Sequence, residues 1–114
     1  MIAVIFEFTA ADGRFADYKR LAESLGEEVR KFDGFISIER FQSISDPARF
    51  VSLSFWRDEE AVQKWRNLQM HREAQAKGRG GIFSAYRLRV CSVLRDYGMR
   101  ERGEAPKDSQ RVHG

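Results

Sequence analysis

Six segments of this chain show two kinds of hydrophobic pattern, and their order restricts the possible folds more than any other feature. The strand-like segments are short and rich in β-branched and aromatic side chains, and comprise residues 2–9, 35–44, 50–56 and 82–95. The helix-like segments begin at residues 15 and 58, and the first repeats apolar side chains at three- and four-residue steps as far as residue 32. The order β-α-β-β-α-β predicts an α+β fold of the ferredoxin-like kind, with an antiparallel sheet and both helices on one face.

Local signals mark the ends of these segments. Gly34 ends the first helix, and Pro47 lies in a turn, since proline cannot continue a strand ladder, so that strands two and three form a hairpin. Asp58 is a good N-cap for the second helix. This helix is expected to run to about Asn67, with a break there before a further helical stretch that ends near Gly78.

The strands are apolar on both faces, although two helices can cover only one face of a sheet. In the first strand, one face carries Ile2, Val4, Phe6 and Phe8, and the other carries Ala3 and Ile5. In the third strand, one face carries Val51, Leu53 and Phe55, and the other carries Phe50 and Trp56. Soluble monomers avoid large exposed apolar patches. A homodimer that covers the second face is the simplest solution.

Charge and cysteine content exclude several classes of protein. The net charge is +3, with both signs interspersed and no basic stripe, so neither nucleic acid nor a membrane surface is an expected partner. Cys91 is the only cysteine, which excludes an intrachain disulfide and a thiolate cluster. The apolar start of the chain lacks the features of a signal peptide, and no segment has the length to span a bilayer. We therefore expect a reduced, cytoplasmic setting.

The last residues differ in composition from the rest. Residues 98–114 are rich in charge, Gly, Pro and Ser, and cannot bury enough apolar surface to offset the entropy of ordering. We expect a single domain over residues 1–97 and a flexible polar tail over residues 98–114, and His113 in that tail is not considered a ligand.

The residues most suited to a functional site cluster on the second helix and the strand before it. Trp56, Trp65 and His71 lie within sixteen positions. On a continuous helix Asn67 and His71 are one turn apart and share a face, with Trp65 on the neighbouring face. Two readings remain open: the three helix residues line a pocket, or Trp65 is core, Asn67 caps a helix and His71 is exposed.

No motif for a metal, nucleotide or flavin is present. The glycine-rich residues 78–81 follow a helix and precede a strand, which is the reverse of the dinucleotide-binding arrangement. One internal histidine and one cysteine on different elements cannot supply the three or four ligands of a zinc or iron site. We expect no cofactor, although His71 as a single axial ligand to haem is an alternative.

Several stretches together resemble a known family. They are FISIERFQS from residue 35, LSFWRDEEA from residue 53, WRN from residue 65, HREAQ from residue 71 and YRLRV from residue 86. In these stretches and in the order of its elements, the chain is similar to the antibiotic biosynthesis monooxygenase (ABM) family of the dimeric α/β-barrel superfamily. The resemblance covers roughly residues 1–97.

This resemblance implies a homodimer whose two sheets form one barrel, with a pocket between sheet and helices in each subunit. It also implies oxygenation of a small electron-rich aromatic molecule (a quinol, phenol or anthrone) by dioxygen without metal or flavin, because the deprotonated substrate itself reduces dioxygen. Trp65, Asn67 and His71 correspond in position to the family's pocket residues. The expected roles are His71 as proton acceptor, Asn67 as hydrogen-bond donor and Trp65 as apolar wall.

Other functions stay open at this point. The haem-degrading branch of the family uses an Asn on the first strand, a Trp and an iron-ligating His, and the first strand here contains no Asn. A non-catalytic dimer that binds a small aromatic ligand, and a protein with only an assembly role, are the alternatives outside enzymology.

Overall fold

The computed structural model describes the backbone of residues 1–76 and 81–113 and the side chains of residues 1–68 and 81–112. Its elements are β1 (Ile2–Ala10), α1 (Phe15–Val29), β2 (Phe35–Gln42), β3 (Arg49–Trp56), α2 (Glu59–Ala76), β4 (Phe83–Ser92) and α3 (Lys107–His113). The predicted order β-α-β-β-α-β is confirmed, and α3 follows it.

The four strands form one antiparallel sheet in the order β2-β3-β1-β4. β1 lies inside the sheet and pairs with both β3 and β4, with Val4 opposite Ser54 on one side and Val90 on the other. β2 and β3 pair as the predicted hairpin. The α+β, ferredoxin-like prediction is therefore confirmed.

The core lies between one face of the sheet and the helices. One cluster surrounds the fully buried Trp56 and includes Val4, Val29 and Trp65, and a second joins Phe8 to Tyr18. The buried positions of α1 recur at helical spacing: Tyr18, Ala22, Leu25, Gly26 and Val29. Each large apolar side chain buried in this way contributes roughly 1.5–3 kcal/mol of transfer free energy.

Two helices end differently from their predicted limits. α1 ends at Val29. Beyond it the chain makes backbone hydrogen bonds of the 3₁₀ type, from the Lys31 N–H to the Glu28 carbonyl (3.1 Å) and from the Phe32 N–H to the Val29 carbonyl (3.0 Å). The predicted break after Asn67 is wrong, since α2 continues as one helix to Ala76. In the part of the chain that the structure describes, no helix combines the length and apolar character needed to cross a bilayer.

The C-terminal segment contains a helix that the sequence did not predict. Within this C-terminal segment, Arg102 donates a hydrogen bond to the Ser109 hydroxyl oxygen (2.8 Å), and Gln110 donates one to the Ala105 carbonyl (2.7 Å). The radius of gyration of 16.7 Å exceeds the roughly 13 Å of a compact domain of this size, as expected if this segment extends away from the sheet. The boundary at residue 97 and the flexibility of the tail stay predictions.

The side of the sheet away from the helices is called here the open face. Alternation along the strands places on it the side chains of Ala3, Ile5, Glu7, Val51, Leu53, Phe55, Arg87, Arg89 and Cys91. Ile5, Leu53 and Phe55 are only half-buried in the single chain. Glu7 pairs with Arg89 (2.9 Å) and Arg49 (3.7 Å), so the open face combines an apolar centre with paired charges.

Gly34 provides a test of this packing. Its backbone φ is +89°, and a Cβ there would lie 2.7 Å from the Ala61 Cβ at the start of α2. Gly13 also has a positive φ, +72°, but has open space around it. We expect Gly13→Ala to cost about 1–2 kcal/mol for the left-handed backbone alone, and Gly34→Ala to cost about 1–3 kcal/mol more because of the clash. Urea unfolding of both variants measures the difference, and equal losses of stability would contradict the close approach of Gly34 to α2.

Candidate functional site

The alternation of side-chain size along β3 creates a hollow in the sheet. The side chains that face the helices are Phe50, Ser52, Ser54 and Trp56 in turn. The two large aromatic groups support α1 and α2 at either end, while the two serines between them leave space. The floor of the candidate site is therefore a run of small residues between large ones.

The strand register extends this hollow across the whole sheet. One row of paired positions consists of Arg40, Ser52, Phe6 and Leu88, and the next consists of Ile38, Ser54, Val4 and Val90. All eight side chains line one cavity of about 40 Å³. Val62, Trp65 and Arg66 of α2 complete its lining.

The start of α2 fixes where Trp65 lies. The Asp58 carboxylate accepts a hydrogen bond from the Ala61 N–H (3.0 Å), which confirms the predicted N-cap. Arg57 binds both oxygens of Asp33 at 3.1 Å and so joins the start of α2 to the turn after α1. With α2 held at this end, Trp65 lies one turn beyond Ala61 on the same buried face.

Trp65 forms a wall of the cavity and packs against other aromatic side chains of the core. Trp65 is 6% exposed and packs edge-on against Phe32, with ring centroids 5.4 Å apart. It also stacks on Trp56 at 6.1 Å. The Trp56 indole N–H donates a hydrogen bond to the buried Ser54 hydroxyl (2.9 Å), so this polar pair is satisfied inside the core.

A smaller cavity of about 20 Å³ lies beside the first, beneath α1. The two cavities share Phe6, Arg40 and Ser52, so the Arg40 side chain stands between them. Arg40 lies beside the buried Tyr18, and both side chains line the smaller cavity. Burial raises the pKa of Tyr18, and the charge of Arg40 opposes that rise only in part, so Tyr18 is a neutral phenol at physiological pH.

The first cavity continues into an exposed apolar strip on β4, called here the apolar shelf. It consists of Tyr86, Leu88 and Val90, which are 68%, 38% and 40% exposed although they lie on the helix side of the sheet. Leu88 and Val90 also line the cavity. A ligand larger than the cavity can therefore extend along the shelf.

Of the predicted site residues whose side chains are described, one reaches this cavity. Trp65 lines it, whereas Asn67 is exposed on α2 and lines neither cavity. His71 belongs to α2, but its side chain lies outside the described residues. The roles assigned to these three residues stay predictions.

The sequence analysis overlooked Arg40, Tyr18 and Ser52. Two signals in the sequence could have indicated them. Arg40 interrupts the alternation that places Ile38 toward the core, and the β3 pattern Phe-x-Ser-x-Ser-x-Trp places two small residues where a core strand normally has large ones.

Metal ligation finds no support among the described side chains. Within them, no group of three or more His, Cys, Asp or Glu residues is close enough to hold a metal ion. The polar groups that line the two cavities are hydroxyls and guanidinium groups, which favour anions and neutral oxygen atoms over cations.

Comparison with known proteins identifies relatives of this architecture. The family model of the antibiotic biosynthesis monooxygenases (ABM) matches residues 1–77. Jasmonate monooxygenase ABM of Pyricularia oryzae is 45% identical over 93 residues, which are 82% of this chain and 43% of that protein. This chain thus spans less than half the length of that relative.

Solved structures of low identity share the fold. A putative antibiotic biosynthesis monooxygenase from Deinococcus radiodurans has a TM-score of 0.72 at 13% identity, over 86% of this chain and 97% of that chain. SnoaB, a cofactor-independent oxygenase from Streptomyces nogalater, has a TM-score of 0.68 at 10% identity, over 83% of this chain and 94% of that chain.

The cap that positions α2 makes stability depend on pH. The Ala61 N–H and then the Arg57 guanidinium hold the pKa of Asp58 below its ordinary value. Its contribution to stability is complete above the unfolded pKa, about 3.9, and is lost as pH falls through the lower folded pKa. We expect Asp58→Asn, which keeps a capping oxygen but does not titrate, to lose less stability than the wild type below about pH 4.

Urea unfolding between neutral and acid pH measures this effect. Asp12→Asn, in the exposed turn before α1, controls for the loss of one carboxylate. Parallel pH profiles for the wild type and Asp58→Asn would contradict the proposed role of the cap.

Proposed function

Because the chain belongs to the antibiotic biosynthesis monooxygenase family, we propose that it is a monooxygenase that oxidises a small molecule between the sheet and α2. The observation that carries this proposal is the cavity itself, which two rows of the sheet and Trp65 enclose and which continues into the apolar shelf. The family match over residues 1–77 includes β1, β2, β3 and α2, which supply most of its lining, and β4 lies beyond the match.

The proposed chemistry uses no cofactor. An anthrone-type or quinol-type substrate loses a proton, and the resulting electron-rich anion reduces dioxygen directly. For an anthrone, the two C–H bonds of a methylene group supply four electrons. One oxygen atom becomes the new carbonyl and the other leaves as water. The name of SnoaB, a fold neighbour, supports this cofactor-free route.

The protein's part in this reaction is to accept a proton and to exclude water. His71 accepts the substrate proton, since a neutral imidazole titrates near physiological pH. Asn67, one turn earlier on α2, donates a hydrogen bond to the substrate oxygen, and Trp65 is the apolar wall. Asn67 is exposed in the single chain, so its role requires a ligand that extends out of the cavity.

A second substrate class comes from the 45% identical relative, which is named a jasmonate monooxygenase. Jasmonate is a small apolar carboxylic acid without an aromatic ring. Hydroxylation of one of its C–H bonds consumes dioxygen, two protons and two further electrons, and releases water. An assay of this class therefore includes a two-electron reductant such as NADPH.

Oxygen uptake tests the proposed function. We expect metal-free protein to accelerate uptake with anthrone, a dihydroquinone, or jasmonate with reductant, above the spontaneous rate. His71→Ala should lower the rate about 10²–10⁴-fold if this histidine is the general base. His113→Ala, which removes the other histidine, should keep the full rate.

Two outcomes would overturn the proposal. Background uptake across the panel, with ligand binding retained, would favour a non-catalytic binding protein. A Soret band on addition of haemin that His71→Ala abolishes would favour the haem-degrading branch. The described cavity of about 40 Å³ is smaller than the proposed substrates as well as a porphyrin, so each of these ligands would have to extend over the apolar shelf or displace α2.

The active form is proposed to be a homodimer joined through the open face. Ile5, Leu53 and Phe55 form an apolar centre there, and Glu7 forms ion pairs with Arg89 and Arg49 that offset part of the positive charge. A second copy is the cover that this surface fits best, because it presents the same mixture of apolar and paired groups.

Light scattering tests the dimer. We expect the wild type to be dimeric at micromolar concentration, with an interface above about 1,000 Å². Leu53→Lys, at the centre of the open face, should produce a monomer because it places an unpaired charge in the interface. Gln63→Lys, on the exposed surface of α2, adds the same charge elsewhere and should leave the dimer intact. A monomeric wild type would reject this assembly.

A further inference from the structure

We propose that Arg40 binds the carboxylate of a small apolar acid in the space between the sheet and the two helices. This inference rests on the proposed function, because it places the ligand in the same site. It goes further in naming the residue that selects an acid over its neutral analogues.

The charge of the two cavities supports an anionic ligand. Arg40 and Arg66 line the larger one and Arg40 lines the smaller one, while no carboxylate of the described side chains belongs to either lining. The remaining polar groups are the hydroxyls of Ser52, Ser54 and Tyr18. A small enclosed space with positive charge and hydroxyl donors attracts a negatively charged oxygen atom.

Arg40 differs from three other arginines near the sheet in what it contacts. Arg89 and Arg49 pair with Glu7, and Arg57 pairs with Asp33 and Asp58. Arg40 is half-buried beside Tyr18, and no described carboxylate forms an ion pair with it. A charge removed from water in this way is costly unless an opposite charge accompanies it.

The geometry of a guanidinium group favours a carboxylate as that opposite charge. Arginine has five N–H donors in a planar fork. These donors can bind both oxygens of a carboxylate at once, whereas a phenolate offers only one oxygen. Ser52, directly opposite Arg40 in the sheet register, can donate a further hydrogen bond.

The surroundings of Arg40 define the rest of the ligand. Phe6 adjoins the guanidinium position in both cavities, and Leu88 and Val90 continue the apolar surface toward the shelf. A molecule that fits this arrangement has a carboxylate at one end and an apolar body that extends beneath Trp65 to β4. Jasmonate has this form.

Pairs of acids and their neutral methyl esters provide the test. Jasmonate is compared with methyl jasmonate, and 1-naphthoate with methyl 1-naphthoate, by calorimetry without any reductant. We expect the wild type to bind at least one acid about tenfold or more tightly than its ester, as expected for a charge-assisted hydrogen bond. Arg40→Gln should reduce this preference to about one, because it removes the charge.

Two control variants separate charge at this position from charge in general. Arg20→Gln removes one positive charge from the exposed surface of α1 and should keep the full preference for the acid. Arg40→Lys should keep part of it, because lysine retains the charge but not the fork. Circular dichroism and urea unfolding confirm that each variant is folded.

Any of three results would overturn the inference. The first is that neither acid binds more tightly than its ester, and the second is that the folded Arg40→Gln variant keeps the preference for the acid. The third is that only the affinity for an ionised phenol, such as 1-naphthol above its pKa, depends on Arg40. The outcome is separable from that of the proposed function. Binding that depends on Arg40 without oxygen uptake would reject the enzyme and retain this site, and uptake without acid preference would do the reverse.

Discussion

The register between β3 and its two neighbours is the constraint on which the rest of the site depends. Antiparallel pairing places Ser52 beside Arg40 and Phe6, and Ser54 beside Ile38 and Val4. A slip of one residue would turn both serines to the open face and bring large apolar side chains beneath the helices. The same strand register therefore positions the hollow, Arg40 and the apolar wall.

The tryptophan pair couples this hollow to the helices. Trp56 ends the small-residue run of β3, and Trp65 stacks on it from α2. The position of α2 in turn depends on the Asp58 cap and on the close approach of Gly34 to Ala61. Local capping at one end of a helix thus determines where the cavity wall stands, several residues away.

Local patterns were sufficient to predict the elements, and non-local pairing explains what they could not predict. Hydrophobic periodicity and the Asp58 cap indicated the strands, the helices and their order, because these signals act within a few residues. The importance of Ser52 and Arg40 emerges only when three strands are aligned, and a single strand does not reveal its register. α3 is an exception, because its hydrogen bonds, such as Arg102 to Ser109, are local, and it escaped prediction because its composition is polar.

The chain belongs to the antibiotic biosynthesis monooxygenase family, and we propose that the gap in side-chain size along β3 is its reaction site. A molecule in this site would receive an oxygen atom from dioxygen. The most direct test is a single incubation under oxygen-18 gas with the substrates named above, followed by mass spectrometry of the products. We expect one oxygen-18 atom to enter each molecule of product. Product oxygen that comes instead from the water of the buffer, or the recovery of unchanged substrate alone, would contradict the proposal.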